Sequence, residues 1–193
     1  LDALEQRGLL QVINRPIDKD SEMHPLVHWQ FVGGMAEGDR KAFLFTNVHD
    51  GRGRKYDMPV VVGAMAANRE IYSVGMDASL PDIAAKWDHA IANPIAPVMV
   101  NDALCHEVVL TGDALKGDGN GLDRLPIPIS TPGFDSAPTL TATNVITKDP
   151  ETGVQNMGTY RAALKASDRL VVRMATRAGG AGDRKSTRLN SSH

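Results

Sequence analysis

Three β-type runs follow one another closely near the end of the chain, at residues 139–147, 154–161 and 169–175. The segment between the first two, residues 148–153 (KDPETG), combines Asp, Pro and Gly, which favour a tight turn. Two β-type runs joined by such a turn form a hairpin, and a third run can extend it. This pattern predicts a mainly β structure for the end of the chain.

The preceding part of the chain alternates helical and β-type segments. Residues 1–8 have the pattern of an amphipathic helix that stops at a glycine, and residues 21–33 form a second predicted helix. A Ser-Leu-Pro-Asp start at residue 79 opens a third helix that runs to about residue 93, whereas residues 65–76 are weakly helical. The predicted strands are residues 9–13, 42–48, 59–62, 97–100 and 106–110.

The composition changes near residue 105, where the alternation gives way to a Gly- and Pro-rich stretch and then to the β-type runs. We therefore predict an α+β protein, with an N-terminal α/β domain at residues 1–104 and a predominantly β region after it. With 193 residues and 42% hydrophobic side chains, the chain has enough apolar mass for a sizeable core.

Charge, hydropathy and cysteine content exclude several classes of partner and site. The formal net charge of −2 provides no electrostatic attraction to nucleic acid or to an anionic membrane. No apolar run approaches the ~20 residues of a membrane-spanning helix and no secretory signal is recognisable, so a cytoplasmic location is the default expectation. The single Cys105 excludes an internal disulfide and a thiolate-rich metal site.

The two ends of the chain have unusual sequences. Residues 183–193 (DRKSTRLNSSH) are polar and aperiodic, and they match the translation of a common sequencing-library adapter. We expect this tail to be non-biological rather than a natural disordered extension, and to make few contacts. The helical pattern at Leu1 indicates a helix that starts before the chain does, so a gene fragment open at both ends is expected.

Three other groups of chemistry-bearing residues have simpler structural explanations. His24 and His28 are spaced i,i+4 on a predicted helix, but no third metal ligand is in register, so ordinary helix-face histidines are favoured. Residues 105–107 (CHE) would alternate between the faces of a strand and cannot converge as a triad. Residues 117–121 (GDGNG) lack the remaining residues of a phosphate loop or a calcium loop and indicate a flexible connection.

The β-type runs carry polar side chains among apolar ones, including Thr141, Thr143 and Tyr160, and the residues alone favour a decorated hairpin and a binding site about equally. The stretch resembles the UbiD family of decarboxylases, which use prenylated FMN. The resemblance lies in residues 125–128 (LPIP), 135–141, 145–153 (VITKDPETG) and 156–161 (NMGTYR), and in the opening residues 4–8 (LEQRG), 15–18 (RPID) and Glu22. It covers residues 1–182 and implies that residues 105–182 begin a split β-barrel of the flavin-reductase-like type, truncated here.

The resemblance implies a role for the residues of the NMGTYR block and of the next strand. Asn156 corresponds to a ligand of the divalent metal that bridges to the cofactor phosphate, and Arg161 corresponds to the arginine of a catalytic Arg/Glu network. Thr176 and Arg177 stand where some members carry a His-Arg pair, which leaves a metal-binding His unassigned. The residues implied to contact the flavin are Thr159, Tyr160, Arg161, Arg173, Met174, Ala175, Ala178 and Gly179.

The resemblance also implies an activity and its partners. The expected reaction is the reversible, non-oxidative decarboxylation of an aromatic or α,β-unsaturated carboxylic acid. The expected cofactors are prenylated FMN, supplied by a flavin prenyltransferase, and Mn²⁺ or Mg²⁺, with K⁺ as a further candidate; the full-length protein is expected to be a homo-oligomer. The family's catalytic acids come from later sequence, so this chain alone is expected to be inactive. The alternative is a non-catalytic α/β plus β-barrel module that binds a small anion or a flavin.

The spacing of Asn156 and Arg161 imposes a geometric requirement on such a site. Five residues separate them, and an odd separation puts two side chains on opposite faces of a regular strand. A shared site therefore predicts either a bulge at Gly158 or a strand that begins after Asn156. In both cases the two side-chain tips should converge on one cavity together with Arg173.

Overall fold

Residues 1–173 are described by the computed structural model. The chain forms two compact units, Leu1–Thr111 and a second unit that begins at Gly112. This division lies a few residues after the change in composition near residue 105. Helices and small sheets occur together, which confirms the predicted α+β class.

The first unit combines helices with two small sheets. Its helices are α1 (Asp2–Gln6), α2 (Met23–Val32), α3 (Arg69–Met76) and α4 (Ile83–Ala92). Its strands are β1 (Leu10–Ile13), β2 (Ile17–Asp18), β3 (Ala42–Phe45), β4 (Val48–His49), β5 (Lys55–Tyr56) and β6 (Val60–Val62). One sheet has the order β1-β3-β6 and the other β2-β4-β5, and each contains one parallel and one antiparallel pairing. Within residues 1–173, the helices are too short or too polar to cross a bilayer.

Two apolar clusters hold the first unit together, because apolar side chains removed from water supply most of the favourable free energy of folding. The first cluster joins α2 to strands of both sheets and contains Ile17, Met23, Val27, Phe45 and Val48. The second packs α1 and α3 against β3 and contains Leu4, Ala42, Ala67 and Ile71. The core of this unit therefore comes from three helices and three strands, including Ile17 of the short strand β2, which the sequence pattern does not predict.

Asp18 and Glu22 fix the turn that leads from β2 into α2. Oδ1 of Asp18 accepts hydrogen bonds from the backbone N–H groups of Asp20 (2.8 Å) and Ser21 (3.0 Å). Oε2 of Glu22 accepts a hydrogen bond from the Asp18 N–H (2.8 Å), and this bond, aided by the Arg15 guanidinium, lowers the pKa of Glu22. The reciprocal bonds satisfy N–H groups near the start of the helix, so the RPID motif and Glu22 have a structural role here.

No strand forms at residues 97–100 or 106–110, so these two strand predictions are wrong. Residues 94–100 are irregular, and a short 3-10 helix occupies Leu104–His106. The apolar side chains of this region face solvent; the exposed fraction is 83% for Val98 and 94% for Leu104. A β-type run becomes a strand only when another strand pairs with its backbone, and residues 1–173 provide no such partner for it.

The second unit contains the predicted β structure. The strands β7 (Thr139–Lys148), β8 (Gln155–Ala166) and β9 (Arg169–Val172) form an antiparallel sheet in the order β7-β8-β9. The hairpin turn is confirmed, because Asp149 Oδ1 accepts bonds from the N–H groups of Glu151 (2.8 Å) and Thr152 (3.2 Å). Gly153 completes the turn with a φ of 71°, a conformation that glycine adopts without strain.

Candidate functional site

The candidate site lies on β8, which carries the whole NMGTYR block. Side chains alternate between the two faces of a strand, so residues of even and odd number point in opposite directions. Tyr160 and Ala162 belong to the more buried face, and Thr159 and Arg161 belong to the other, exposed face. We call the exposed face, which carries Thr159 and Arg161, the open face.

The pairing of β7 with β8 is regular through the middle of the block. The register continues without a shift through Gly158, and Asn156 lies within β8, where it pairs with Thr147. The predicted bulge at Gly158 and the alternative of a strand that begins after Asn156 are therefore both wrong. The register shifts instead on β7, between Leu140 and Thr143.

Gly158 has a packing role rather than a role in bending the strand. A Cβ placed at Gly158 would lie 2.8 Å from Cζ and from Oη of Tyr160, two residues later on the same face. The tyrosine ring therefore occupies the space that any side chain at position 158 would need. This contact explains why position 158 holds a glycine, which the alternation of side chains along the strand does not show.

Asn156 and Arg161 consequently leave β8 on opposite faces. Asn156 shares the buried face with its cross-strand neighbour Thr147, whose side chain is almost fully buried. The predicted convergence of the Asn156 and Arg161 tips is therefore not found within residues 1–173. Among the same residues, no group of three or more His, Cys, Asp or Glu side chains is placed to hold a metal ion.

Both side chains on the open face have hydrogen-bond partners from neighbouring segments. Oγ1 of Thr159 donates to Oδ1 of Asn144 on β7 at 3.1 Å. Nη2 of Arg161 donates to Oδ1 of Asp135 at 3.3 Å, and the arginine side chain remains 60% exposed. The sequence pattern assigns no role to Asn144 or to Asp135, because the contact of Asn144 depends on the strand register and that of Asp135 depends on the turn that begins at Thr131.

Arg173 follows β9 directly and is close to Arg161 in register. Ala162 pairs with Val172, so continuing the antiparallel register by one residue brings Arg173 opposite Arg161. Both arginines are exposed. The structure therefore places Thr159 and Arg161 on the open face and leaves Asn156 and Tyr160 on the other face, and Arg173 follows the last residue of the adjacent strand β9.

Several predictions lie outside the described residues. They concern the flavin-contact candidates Met174, Ala175, Ala178 and Gly179 and the proposed adapter-derived tail at residues 183–193.

The remaining candidate residues lie apart from the NMGTYR block in the sequence and are described by their own contacts and exposure. His24 is partly buried and His28 is exposed on α2, and Cys105 is an exposed free thiol in the 3-10 helix Leu104–His106. Gly121 has a φ of 52°, and a Cβ there would collide with the Ser167 carbonyl.

A cavity of about 690 Å³ in the first unit is lined by Arg7, Glu70, Asp77 and neighbouring residues, and by none of the predicted site residues.

A cluster of ionisable groups in the first unit centres on Asp50 and Tyr56. Burial alone would raise the pKa of Asp50, but hydrogen bonds from the N–H groups of Arg54 (2.9 Å) and Arg52 (3.0 Å) lower it overall. Oη of Tyr56 donates to Oδ2 of Asp50 at 3.4 Å, and burial together with this carboxylate raises the pKa of Tyr56 to about 12. The cluster closes the loop between β4 and β5.

Two family profiles match the chain, one for each part. The profile of the 3-octaprenyl-4-hydroxybenzoate carboxy-lyase N-terminal domain matches residues 1–90. The profile of the Rift-related domain of the same carboxy-lyase matches residues 98–190. The two matches follow each other in chain order and together span most of the sequence.

Solved structures with similar folds include several decarboxylases. The UbiD-class enzyme HmfF from Pelotomaculum thermopropionicum in complex with FMN is 29% identical, with a TM-score of 0.73 over 91% of this chain and 36% of that one. An evolved dimeric form of HmfF in complex with prFMN is 27% identical (TM-score 0.67, covering 91% and 37%). The 3,4-dihydroxybenzoic acid decarboxylase from Enterobacter cloacae is 25% identical (TM-score 0.76, covering 98% and 39%). The chain therefore spans a little over a third of the length of these enzymes.

Proposed function

Because this chain belongs to the UbiD family of carboxy-lyases, we propose that its protein catalyses the reversible, non-oxidative decarboxylation of an aromatic or α,β-unsaturated carboxylic acid with prenylated FMN. Two of the similar structures contain FMN or prFMN, and another is a decarboxylase of 3,4-dihydroxybenzoic acid, an aromatic acid. These relatives support the cofactor and the substrate class. The geometry of the open face supports the location of the site.

The observation that carries the proposal is that Thr159 and Arg161 lie on one exposed face of β8, with Arg173 directly after the adjacent strand β9. Extension of the β8-β9 register by one residue puts Arg173 opposite Arg161, and two guanidinium groups so placed would attract an anion, each able to bind a carboxylate or a phosphate through two parallel hydrogen bonds. Asp135 engages a single nitrogen of Arg161. The remaining N–H groups of that guanidinium are available to a ligand.

The open face also has apolar surface that suits a flavin ring. Ile146 on β7 pairs with Met157 on β8, and each side chain is 62% exposed. Val171 on β9, opposite Ala163, is 55% exposed on the same face. Exposed apolar side chains next to cationic groups match a ligand with an aromatic ring and anionic substituents. The residues of this face therefore fit the flavin.

When bound, prenylated FMN supplies the electron sink that loss of CO₂ from an sp² carbon requires. In the proposed site Arg161 binds the substrate carboxylate or the polar edge of the flavin, Arg173 adds a second positive charge, and Thr159 orients the ring. The β8 backbone pairs with β7 at Thr159 and with β7 and β9 at Ala162, next to Arg161, which holds these two side chains in place.

The described residues do not fit a divalent metal shared with the open face. Asn156 is the only residue of the NMGTYR block implied to be a metal ligand, and it lies on the opposite face from Arg161. Mn²⁺ and Mg²⁺ require several oxygen ligands, and among residues 1–173 no group of three or more His, Cys, Asp or Glu side chains is placed to supply them. We therefore assign no step to Mn²⁺, Mg²⁺ or K⁺.

The remaining features of the proposal concern the whole protein. We propose that the β7-β8-β9 sheet is part of a split β-barrel and that the protein works as a homo-oligomer in the cytoplasm. Its prenylated flavin would come from a flavin prenyltransferase. The second candidate function, a non-catalytic module for a small anion or a flavin, is favoured by the exposed and only partly neutralised Arg161.

Reconstitution of the full-length protein with prenylated FMN separates the two functions. The proposal predicts flavin absorbance that copurifies with the protein and CO₂ release from aromatic or α,β-unsaturated acids. Arg161→Ala should abolish CO₂ release with the fold retained, and Arg161→Lys should also fail because an ammonium group cannot make the planar bidentate contact. Arg169→Ala is the matched control, because Arg169 is an exposed arginine on β9 that pairs only with Asp168 among the described residues. Flavin binding without CO₂ release would favour the binding module.

A further inference from the structure

Asp135 lies outside the strands and contacts the candidate site through Arg161. Its Oδ1 accepts a hydrogen bond from Nη2 of Arg161 at 3.3 Å, and its Oδ2 accepts one from the backbone N–H of Thr131 at 2.8 Å. The two carboxylate oxygens therefore serve different partners. One fixes the carboxylate to its own turn, and the other holds the arginine.

The turn that presents Asp135 is closed by its own backbone. The N–H groups of Phe134 and Asp135 both donate to the Thr131 carbonyl at 3.0 Å. The Asp135 side chain is 20% exposed, whereas the Arg161 side chain is 60% exposed. Asp135 is thus held by its turn, whereas the Arg161 side chain is mostly exposed to solvent. The ion pair therefore restricts the motion of the arginine side chain.

We propose that Asp135 is a positioning residue that holds Arg161 by one nitrogen and so aims the rest of the guanidinium at the ligand. This inference rests on the proposed function, in which Arg161 contacts the flavin or the substrate. A fixed guanidinium loses less conformational freedom when it binds a ligand than a free one does. Asparagine cannot replace the aspartate, because an amide has one acceptor oxygen for two donors.

The first test measures the order of the arginine without any ligand. In the full chain, Asp135→Asn should increase the mobility of the Arg161 side chain, as reported by the relaxation of its Nε–Hε NMR signal. Asp168→Asn is the control, because Asp168 pairs with Arg169 at the same distance of 3.3 Å and should release only Arg169. An Arg161 signal that is equally mobile with and without Asp135 would overturn the proposal.

The second test measures FMN affinity by quenching of flavin fluorescence. Asp135→Asn should weaken FMN binding by about two- to fivefold, the range expected for an exposed ion pair. This direction is diagnostic, because removal of a negative charge beside Arg161 would by itself tighten the binding of an anion. Unchanged or tighter binding would contradict a positioning role.

A double-mutant cycle separates positioning from damage to the turn. In an Arg161→Gln background, Asp135→Asn should have no further effect on FMN affinity if it acts through the arginine. A weakening that persists without Arg161 would show a merely structural role. If Arg161→Gln leaves both FMN affinity and CO₂ release of the full-length protein unchanged, the proposed function fails; if Arg161→Gln weakens FMN binding and Asp135→Asn does not, only the present inference fails.

Discussion

The ring of Tyr160 covers Gly158, so that a Cβ at position 158 would lie 2.8 Å from Cζ and Oη of the tyrosine. The two residues lie on the same face of β8, two positions apart. The intervening Thr159 and the following Arg161 point to the other face. The glycine therefore keeps the tyrosine packed against the sheet while the strand stays regular and presents Arg161 on the open face.

Gly158→Ala should displace the Tyr160 ring. Because a methyl group and the ring cannot share the space, we expect the free energy of unfolding to fall by about 1 kcal/mol, the lower end for overpacking, since the ring can swing outward. Urea unfolding and the aromatic NMR signals of Tyr160 measure the two effects. Gly75→Ala is the control: nothing lies within 4 Å of a Cβ there, so the helix α3 should gain roughly 0.5–1 kcal/mol. Unchanged Tyr160 signals in Gly158→Ala would contradict the packing described.

The elements that the sequence predicts correctly are those with local causes. The turn at residues 148–153 forms because Asp149 binds the N–H groups of residues just after it, and Gly153 takes up the positive φ. A helix follows Ser79 as predicted, with Pro81 in a 3-10 turn at Leu80–Asp82 that leads into α4 and its last residue Ala92, but the Ser79 hydroxyl donates to the Asp82 carboxylate and does not cap the helix. Both causes act within a few residues of the chain.

The errors concern contacts between side chains or strands that the linear pattern does not specify, whether the partner is distant or two residues away. The apolar residues 97–100 have β propensity but no pairing strand among residues 1–173, so they stay irregular. Gly158 has the pattern of a bulge, yet its cause is the Tyr160 ring. The bulge itself lies on β7, between Leu140 and Thr143, where the one-dimensional pattern carries no glycine to mark it.

Stability should decrease at high pH because of Tyr56. Burial and Asp50 raise the pKa of Tyr56 to about 12, from the ordinary value of 10.0 for an exposed tyrosine. The folded state therefore favours the neutral phenol, and this contribution to stability is complete below pH 10 and lost as the pH rises toward 12. Urea unfolding between pH 9 and about 12 should show the decline, and Tyr56→Phe should remove it. Tyr72→Phe, at an exposed tyrosine of α3, should keep the decline; a decline that survives in Tyr56→Phe would contradict the assignment.

Glu22 should contribute to stability at neutral pH and lose that contribution in acid. The Asp18 N–H and the Arg15 guanidinium lower the pKa of Glu22 below the ordinary glutamate value of 4.5. A lowered pKa gives stability that is present above pH 4.5 and lost as the pH falls through the folded-state value. Glu22→Gln should therefore lower the free energy of unfolding at pH 7 by about 0.5 kcal/mol, a small value because solvent screens the 43% exposed side chain, and flatten its dependence on pH below 4.5. Thermal unfolding at a series of pH values measures both, with Glu107→Gln, an exposed glutamate, as the control. Equal acid sensitivity of Glu22→Gln and the unsubstituted chain would be inconsistent with this role.

The division of the NMGTYR block between two faces of β8 makes the location of the flavin testable by thiol protection. In a Cys105→Ser background, which removes the exposed native thiol, Thr159→Cys and Asn156→Cys each introduce one cysteine at an exposed position of β8. Both variants should react with a maleimide at similar rates when no flavin is present. FMN bound to the open face should slow the reaction of Thr159→Cys severalfold and leave that of Asn156→Cys nearly unchanged, because a strand separates the two faces.

The Thr159→Cys substitution removes the hydrogen bond to Asn144, so FMN affinity must be measured in the same variant to show that the flavin is bound at the concentration used. Val171→Cys offers an independent position on the open face, on β9 and away from the Thr159 contact. Protection at positions 159 and 171 without protection at position 156 supports the open face as the flavin site. Stronger protection of Asn156→Cys would place the flavin on the face of Tyr160, and the grouping of Arg161 with Arg173 would then have another function.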